Sequence, residues 1–256
     1  MIPDQMLPFF LMPYWLFHPN RNPALIIPSN GIYHIMRRGC DFWVPSPVLG
    51  QLPCVYDGHG FERSYKIKKG DVVLDVGAYL GFFTRLIVHR CKKVICIEPE
   101  PKNLACLKRN IERFDNVQVI PMAVSDKKSE EQLFLSDFSW GHTLERGVYV
   151  PFPNRRLVDG DRYVNVNLNT IDNIVSELQI DHVDFIKLDV MGAELKALRG
   201  AVDTLQKTKH IAIAPQKTTF KVREFLEKNG FVTKVDVYSS EKPYDLVYGT
   251  RADLRK

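Results

Sequence analysis

The sequence has few cysteines and no pattern that would pair them. Five cysteines are scattered over the 256 residues, and none of them forms a C-x-x-C pair. A disulfide framework needs an even set of cysteines and a zinc site needs clustered ligands, so neither is indicated and no metal is expected. Unpaired cysteines fit the reducing environment of the cytoplasm best.

Long apolar runs, internal repeats and low-complexity tracts are also missing. The most apolar stretch, residues 1–17, is interrupted by Pro3, Pro8 and Pro13 and carries Asp4 in place of basic residues. It is too short to cross a bilayer, so the sequence predicts no membrane span. We expect it to pack against the main domain or to line its cleft, with a membrane or partner surface as the alternative.

Two regions of the chain differ in pattern. Residues 1–68 are rich in proline, aromatic residues and turn signals such as Asn30-Gly31, which predicts an irregular extension with a few short strands that is a candidate for acceptor binding. In residues 69–256, apolar runs of strand length alternate with amphipathic helical stretches. This alternation predicts an α/β domain with a mostly parallel sheet.

The pattern places seven strands in this sheet and helices between most of them. The last two strands have no helix between them and predict an antiparallel hairpin. A segment with two further candidate strands, at 132–135 and 163–168, interrupts the alternation. The strands are expected at 72–76, 94–97, 117–123, 185–188, 210–214, 232–237 and 245–248, and the helices at 81–90, 101–113, 170–178, 193–205 and 220–229.

The first motif of functional interest is Asp75-Val76-Gly77-Ala78-Tyr79-Leu80-Gly81, at the end of the first strand. Gly77 and Gly81 permit a tight turn and the close approach of a ligand to the backbone. Amides at the start of the next helix point toward that ligand. The spacing lacks the middle glycine of the dinucleotide fingerprint, which favours S-adenosyl-L-methionine over NAD; a plain tight turn is the alternative.

Glu98 is the second feature, because it ends the next strand, 21 residues after Gly77. Open α/β sheets place an acid there to accept hydrogen bonds from the ribose hydroxyls of a nucleotide. Pro99 and Pro101 stiffen the turn that follows. Strand, glycine loop, helix, strand and acid in this order predict a nucleoside cofactor, with a purely structural Glu98 as the alternative.

Several stretches resemble the FkbM family of methyltransferases. The resemblance runs from about residue 61 to about residue 230, and it implies a Rossmann-like class I methyltransferase fold with S-adenosyl-L-methionine as cofactor. The sequence DFIKLDVMGAE at 184–194 is its most family-specific part. The other stretches are GDVVLDVGAYLGFFT at 70–84, Ile97-Glu98-Pro99, Ala123-Val124-Ser125-Asp126 and Asn169-Thr170-Ile171-Asp172.

Further site residues follow from the expected fold and from the resemblance. Asp189 ends a central strand, where open α/β sheets bind ligands, and is expected to face the cofactor or to orient the acceptor. Glu194 opens the next helix and is a second catalytic candidate, although a carboxylate there also stabilises the helix dipole. The resemblance places four residues around the adenosine: Met122 and Ala123 at the adenine edge, Asp126 at its amine, and Glu62 in the cleft.

Three positions depart from the family pattern. Tyr79 stands where asparagine is usual, Met191 replaces a usual glutamate, and Ala214 stands where many members have a glutamate. The last two changes remove acids that would deprotonate a hydroxyl. The sequence therefore favours transfer to an amine, oriented by oxygens of Pro215 and Gln216.

The expected acceptor is RNA, through a base amine such as that of cytosine. The net charge of +5 permits binding to a polyanion, and aromatic side chains beside basic clusters would hold unpaired nucleotides by stacking and phosphate contacts. The alternatives are a hydroxyl of a sugar, lipid or metabolite, a protein acceptor, and a non-catalytic subunit with this fold. The basic clusters lie at 37–38, 63–69, 155–162 and 207–221, and the aromatic residues are Tyr33, Phe42, Trp43, Trp140, Tyr149 and Phe152.

Overall fold

A three-stranded antiparallel meander comes first in the computed structural model of the chain. The structure describes residues 24–37, 40–45, 58–137, 139–145, 162–237 and 245–255. The meander consists of β1 (Ala24–Ser29), β2 (Ile32–Arg37) and β3 (Cys40–Val44). Asn30 and Gly31 join β1 to β2 with φ angles of 49° and 78°, as a tight hairpin turn of type I′ requires. The short strands predicted in the N-terminal region are confirmed.

The rest of the chain builds a seven-stranded sheet and a smaller three-stranded sheet. The strands are β4 (Val72–Val76), β5 (Lys93–Ile97), β6 (Val117–Ile120), β7 (Ala123–Val124), β8 (Ser129–Phe134), β9 (Tyr163–Asn169), β10 (Val183–Leu188), β11 (Thr208–Ile213), β12 (Phe231–Asp236) and β13 (Leu246–Arg251). The helices are α1 (Phe82–Ile87), α2 (Pro101–Ile111), α3 (Ile171–Glu177), α4 (Glu194–Arg199), α5 (Val202–Gln206) and α6 (Thr219–Lys228).

The order of strands in the large sheet is β12-β13-β11-β10-β4-β5-β6. β13 is the one strand of this sheet that runs opposite to the other six, so the predicted mostly parallel sheet with a terminal hairpin is confirmed. Every residue of β4 and β10 is buried, as expected for central parallel strands with helices on both faces. The carboxyl ends of β4, β5, β10 and β11 therefore meet at one edge of the sheet.

The predicted strand at 117–123 is wrong, because two strands of different sheets occupy it. β6 ends at Ile120, immediately before Pro121, and the Met122 amide turns back to the Ile120 carbonyl at 3.0 Å. Proline has no amide hydrogen to continue the ladder. β7 then pairs with β9, and β8 pairs with the other side of β9 to complete the small sheet.

The predicted helix at 193–205 is also wrong in one respect, since it consists of α4 and α5 with a break at Gly200. A Cβ added to Gly200 would lie 2.1 Å from the carbonyl oxygen of Ser125. The helix is interrupted where the backbone that follows β7 packs closely against Gly200. None of the described helices is long and apolar enough to cross a membrane.

Candidate active site

The loop after β4 turns sharply at the carboxyl edge of the sheet. Gly77, Tyr79 and Gly81 have φ angles of 73°, 53° and 80°, so three residues in five adopt the left-handed conformation. The amides of Gly77 and Ala78 both donate to the Ile97 carbonyl, at 2.9 and 3.0 Å. The loop is thereby folded over the end of β5.

Gly77 also contacts the end of β10 directly. A Cβ at Gly77 would lie 1.9 Å from the carbonyl oxygen of Asp189, so no other residue fits without moving the backbone. The Asp189 amide donates to the Val76 carbonyl at 3.0 Å. Its side-chain Oδ1 is buried and has no hydrogen-bond partner among the described residues. This oxygen is an acceptor at the edge where ligands bind in open α/β sheets.

Glu98 lies beside the same loop and is only 6% exposed. Its Oε2 accepts the Tyr79 amide at 3.0 Å, and its Oε1 accepts the Glu100 amide at 3.1 Å and the Asn103 side-chain amide at 3.4 Å. Burial raises the pKa of Glu98 to about 7, against the opposing effect of these amide donors. The carboxylate is fixed in orientation by the loop and by α2.

Behind the loop lies a buried ion pair that the sequence analysis did not identify. The Lys187 ammonium lies 3.2 Å from Asp75 Oδ1 and donates to the Gly77 carbonyl at 2.5 Å. Thr84 Oγ1 donates to Asp75 Oδ2 at 2.7 Å. Burial alone lowers the pKa of Lys187, but the nearby carboxylates, with Asp75 first, outweigh it and raise the pKa. Asp75 is completely buried, so it supports the loop from the interior.

Glu194 joins the loops that follow β10 and β11. Its Oε1 accepts the Gly192 amide at 2.8 Å, and its Oε2 accepts the Thr218 hydroxyl at 3.3 Å. The Gln216 backbone also contributes a hydrogen bond to this carboxylate, which is fully buried. Burial raises the pKa of Glu194 to about 6. The geometry makes Glu194 a positioning residue for the two loops, with Pro215 buried and Gln216 half-buried beside it.

Residues 75–233 match the family model described as the Methyltransferase FkbM domain, which is more than half of the chain. The chain belongs to this FkbM methyltransferase family. The predicted resemblance and the Rossmann-like methyltransferase fold are both confirmed.

Two curated relatives and one solved structure are similar to this FkbM domain. The 2-O-methyltransferase NoeI of Sinorhizobium fredii is 28% identical over 153 residues, which cover 56% of this chain and 63% of NoeI. The AMB antimetabolite synthetase AmbE of Pseudomonas aeruginosa is 27% identical over 173 residues, which cover 56% of this chain and 8% of AmbE. The chain therefore spans less than two thirds of the length of either relative.

The solved structure is that of Methyltransferase FkbM from Methylobacillus flagellatus KT. It aligns with a TM-score of 0.52 at 17% identity, over 75% of this chain and 47% of that chain. At this identity the likeness shows the fold alone.

Three further predicted site residues of the FkbM domain, Met122, Ala123 and Asp126, follow β6. The Glu98 amide donates to the Ile120 carbonyl at 3.2 Å, so the end of β6 lies beside Glu98, and the roles of Met122 and Ala123 stay predictions. Asp126 lies farther along and is exposed. Its charge helps to raise the pKa of Lys196 on α4, after the larger effects of Glu145 and Glu131, and its role at the adenine stays a prediction.

Glu62 forms an ion pair with Arg90 and makes none of the hydrogen bonds described above for the glycine loop and Glu98. Its two carboxylate oxygens accept from the Arg90 guanidinium at 3.0 and 2.7 Å, and its Oε1 also accepts the Ile67 amide. These contacts connect the turn before β4 to the end of the first helical segment. The predicted reach of Glu62 into the cofactor cleft stays a prediction.

The aromatic side chains of the meander were expected to stack on RNA bases, but they pack against other side chains of the fold. Tyr33 and Phe42 are buried in one cluster with Leu80 of the glycine loop. Trp43 stacks on His34 with ring centroids 4.5 Å apart, and the Arg109 guanidinium lies 5.1 Å from its ring centroid. Of the other expected RNA-binding residues, Arg38, Tyr149, Phe152, Arg155 and Arg156 lie outside the described residues.

Proposed function

We propose that this chain is an S-adenosyl-L-methionine-dependent methyltransferase whose acceptor is a hydroxyl oxygen of a sugar, lipid or metabolite. The observation that carries the proposal is the buried Oδ1 of Asp189, which has no hydrogen-bond partner in the described part of the chain and lies at the carboxyl end of β10. Membership of the FkbM family supports the transferase activity. The relative named a 2-O-methyltransferase supports an oxygen acceptor.

The residues present fit an adenosine. A carboxylate offers about four acceptor positions, and the three donors to Glu98 include a long contact from Asn103 at 3.4 Å. One position is left for a ribose hydroxyl, and displacement of the long Asn103 contact would provide a second. The glycine loop lies beside this carboxylate, since the Tyr79 amide donates to Glu98 Oε2 at 3.0 Å, so a ribose bound to Glu98 would lie next to the loop.

In this proposal Asp189 is the base, in place of the acids that Met191 and Ala214 replace. S-adenosyl-L-methionine, when bound, supplies an electrophilic methyl group. A hydroxyl acceptor has to lose its proton as the oxygen attacks, and a carboxylate oxygen within hydrogen-bonding reach can hold that proton. Asp189 directly follows β10 at the carboxyl edge, and its Oδ1 accepts no hydrogen bond from the described residues. Positioning of the acceptor by the two loops that Glu194 connects accounts for much of the expected acceleration.

An RNA acceptor has less support than the sequence suggested. The aromatic faces of Tyr33, Phe42 and Trp43 pack against other side chains of the fold. Arg63 is paired with Asp236, and Arg162 is paired with Asp137. The RNA acceptor therefore stays a prediction from composition.

The decisive experiment follows a labelled methyl group into separate acceptor pools. Wild-type protein is incubated with methyl-labelled S-adenosylmethionine and either an oligosaccharide and metabolite fraction or total RNA, and the products are identified by mass spectrometry. We expect a methyl ether in the first pool. The Asp189→Asn variant should bind S-adenosylhomocysteine with wild-type affinity by calorimetry and transfer no label. A methylated base amine in the RNA pool would overturn the hydroxyl acceptor, and a wild-type protein that does not bind S-adenosylhomocysteine would overturn the whole proposal.

A further inference from the structure

Residues 139–145, here called the strap, follow β8 and connect the two halves of the carboxyl edge. Ser139 lies at one end, where its hydroxyl is 2.6 Å from the Tyr79 phenol oxygen. At the other end, Thr143 Oγ1 donates to the Met191 carbonyl at 2.7 Å, in the loop after β10. The strap therefore contacts both the glycine loop and the loop next to Asp189.

The first end of the strap closes a ring of hydrogen bonds around Glu98. The Tyr79 amide and the Asn103 side-chain amide donate to the two oxygens of Glu98. Asn103 Nδ2 also donates to the Ser139 carbonyl at 2.9 Å, and the Ser139 hydroxyl completes the ring at Tyr79. Tyr79, Asn103 and Ser139 thus form, together with Glu98 itself, a ring of four residues at the carboxylate that we assign to the ribose.

Tyr79 adopts an unfavourable backbone conformation in this ring. A φ of 53° is disfavoured for a bulky aromatic residue, and such strain persists only where surrounding contacts fix it. The contacts are present, since the Tyr79 ring meets Phe82 edge to face at 5.7 Å and its hydroxyl meets Ser139. An asparagine, which the family resemblance leads one to expect here, would tolerate the backbone but would not reach the strap in the same way.

The ring also leaves a place for the ligand. Asn103 Nδ2 has two hydrogens, and its contact with Glu98 is long at 3.4 Å, whereas its contact with Ser139 is 2.9 Å. A ribose hydroxyl on Glu98 Oε1 would replace the longer contact and leave the bond to Ser139 intact. The strap would then remain fastened above an occupied ribose position.

We propose that the Tyr79–Ser139 contact is a latch that holds the strap over the ribose end of the cofactor pocket and slows release of the cofactor. Ser139 is a positioning residue, because it acts on Glu98 through Tyr79 and Asn103. This inference rests on the proposed function, since it requires that Glu98 hold an adenosine.

The test measures the release of S-adenosylhomocysteine by stopped-flow displacement. Tyr79→Phe and Ser139→Ala each remove the same hydrogen bond from opposite sides. Each should accelerate release about twofold to tenfold, the effect of one net hydrogen bond, and leave the association rate unchanged. The double variant should release the ligand no faster than either single variant. Ser139→Thr, which keeps the hydroxyl, should restore slow release.

Tyr65→Phe is the matched control. Tyr65 also donates one phenol hydrogen bond, to Asp71 Oδ2 at 2.8 Å, but it lies at the opposite edge of the large sheet. Its loss should not change the release rate. Trp140 gives an independent readout within the strap, because S-adenosylhomocysteine should change a fluorescence signal that Trp140→Phe removes.

The outcomes separate the latch from the function on which it rests. If wild-type protein binds S-adenosylhomocysteine and Glu98→Ala weakens binding, but neither latch variant changes release, the latch is refuted and the proposed function stands. Faster association in Tyr79→Phe or Ser139→Ala would also refute it, because the strap would then be a barrier to entry. Wild-type protein without affinity for the ligand refutes both.

Discussion

Cofactor affinity should rise about tenfold between pH 6 and pH 8 because of Glu98. Burial raises the pKa of this carboxyl to about 7, whereas an ordinary glutamate has a pKa of 4.5. Ribose hydroxyls donate hydrogen bonds, so they bind the ionised form and compete with its protonation. The neutral form predominates below pH 7, and the affinity should therefore fall as the pH falls.

The size of the effect follows from the fraction of protein that is competent to bind. With a pKa near 7, about one molecule in eleven carries an ionised Glu98 at pH 6 and about ten in eleven do at pH 8, and the apparent dissociation constant scales inversely with this fraction. A glutamate with the ordinary pKa would be ionised throughout this range and would give almost no change. The two cases differ by about a factor of ten.

Calorimetry with 5′-methylthioadenosine, compared between wild type and Glu98→Ala, tests this effect; the variant is needed because burial raises the pKa of Glu194 to about 6, at the lower end of the same range. The ligand carries the ribose but neither the carboxyl nor the amino group of methionine, so it does not titrate near pH 7. Burial lowers the pKa of the nearby His142 to about 4, which removes that side chain from the range. Wild-type protein should release about half a proton per ligand at pH 7, and Glu98→Ala should show weaker, pH-independent binding. An affinity that is constant from pH 6 to pH 8, or that falls with rising pH, would refute the reasoning.

Two substitutions test the support of the glycine loop. Lys187→Met leaves the fully buried Asp75 carboxylate without its cation, so the free energy of unfolding in urea should fall by about 3–5 kcal/mol. The control Lys228→Met removes an exposed ion pair with Glu224 and should change the free energy of unfolding by less than about 1 kcal/mol. Gly77→Ala should abolish binding of S-adenosylhomocysteine, because its Cβ would lie 1.9 Å from the Asp189 carbonyl oxygen. Gly31→Ala has a similar φ of 78° with no atom within 4 Å of its Cβ, so it should cost only about 1–2 kcal/mol and preserve binding. Equal effects of the two members of either pair would contradict the assigned roles.

The sheet could be predicted from the sequence because its central strands are continuous apolar runs. Where polar residues interrupt those runs, the predicted strands were too short. β10 begins at Val183, two residues before the predicted start, because Asp184 is buried and satisfied by the Val72 amide and the Lys209 ammonium. A buried carboxylate with such partners has no signature in a hydrophobicity pattern.

Site residues could be predicted from the sequence only where they directly follow successive strands, because the fold then brings them together. Gly77 and Glu98 follow successive strands, and their approach is a property of the fold. Lys187 carried a signal that was not used, namely a lysine inside an apolar strand that neighbours the strand of Asp75. The contacts of Ser139 depend on the path of the chain after β8, and no periodicity encodes that path.

Among the carboxylates of Asp75, Glu98, Asp189 and Glu194, only that of Asp189 has an oxygen with neither a hydrogen bond nor an ion pair among the described residues. Both oxygens of Glu98 and both oxygens of Glu194 accept hydrogen bonds from the protein. Asp75 is enclosed by Thr84 and Lys187. At the two positions where the family acids are missing, the backbone makes the hydrogen bonds. The Met191 carbonyl accepts from Thr143 of the strap, and the Ala214 amide donates to the Leu188 carbonyl. In the proposed function, a proton removed from an acceptor at this edge would therefore pass to Asp189 Oδ1, and this is why we propose a hydroxyl acceptor although both of those acids are absent.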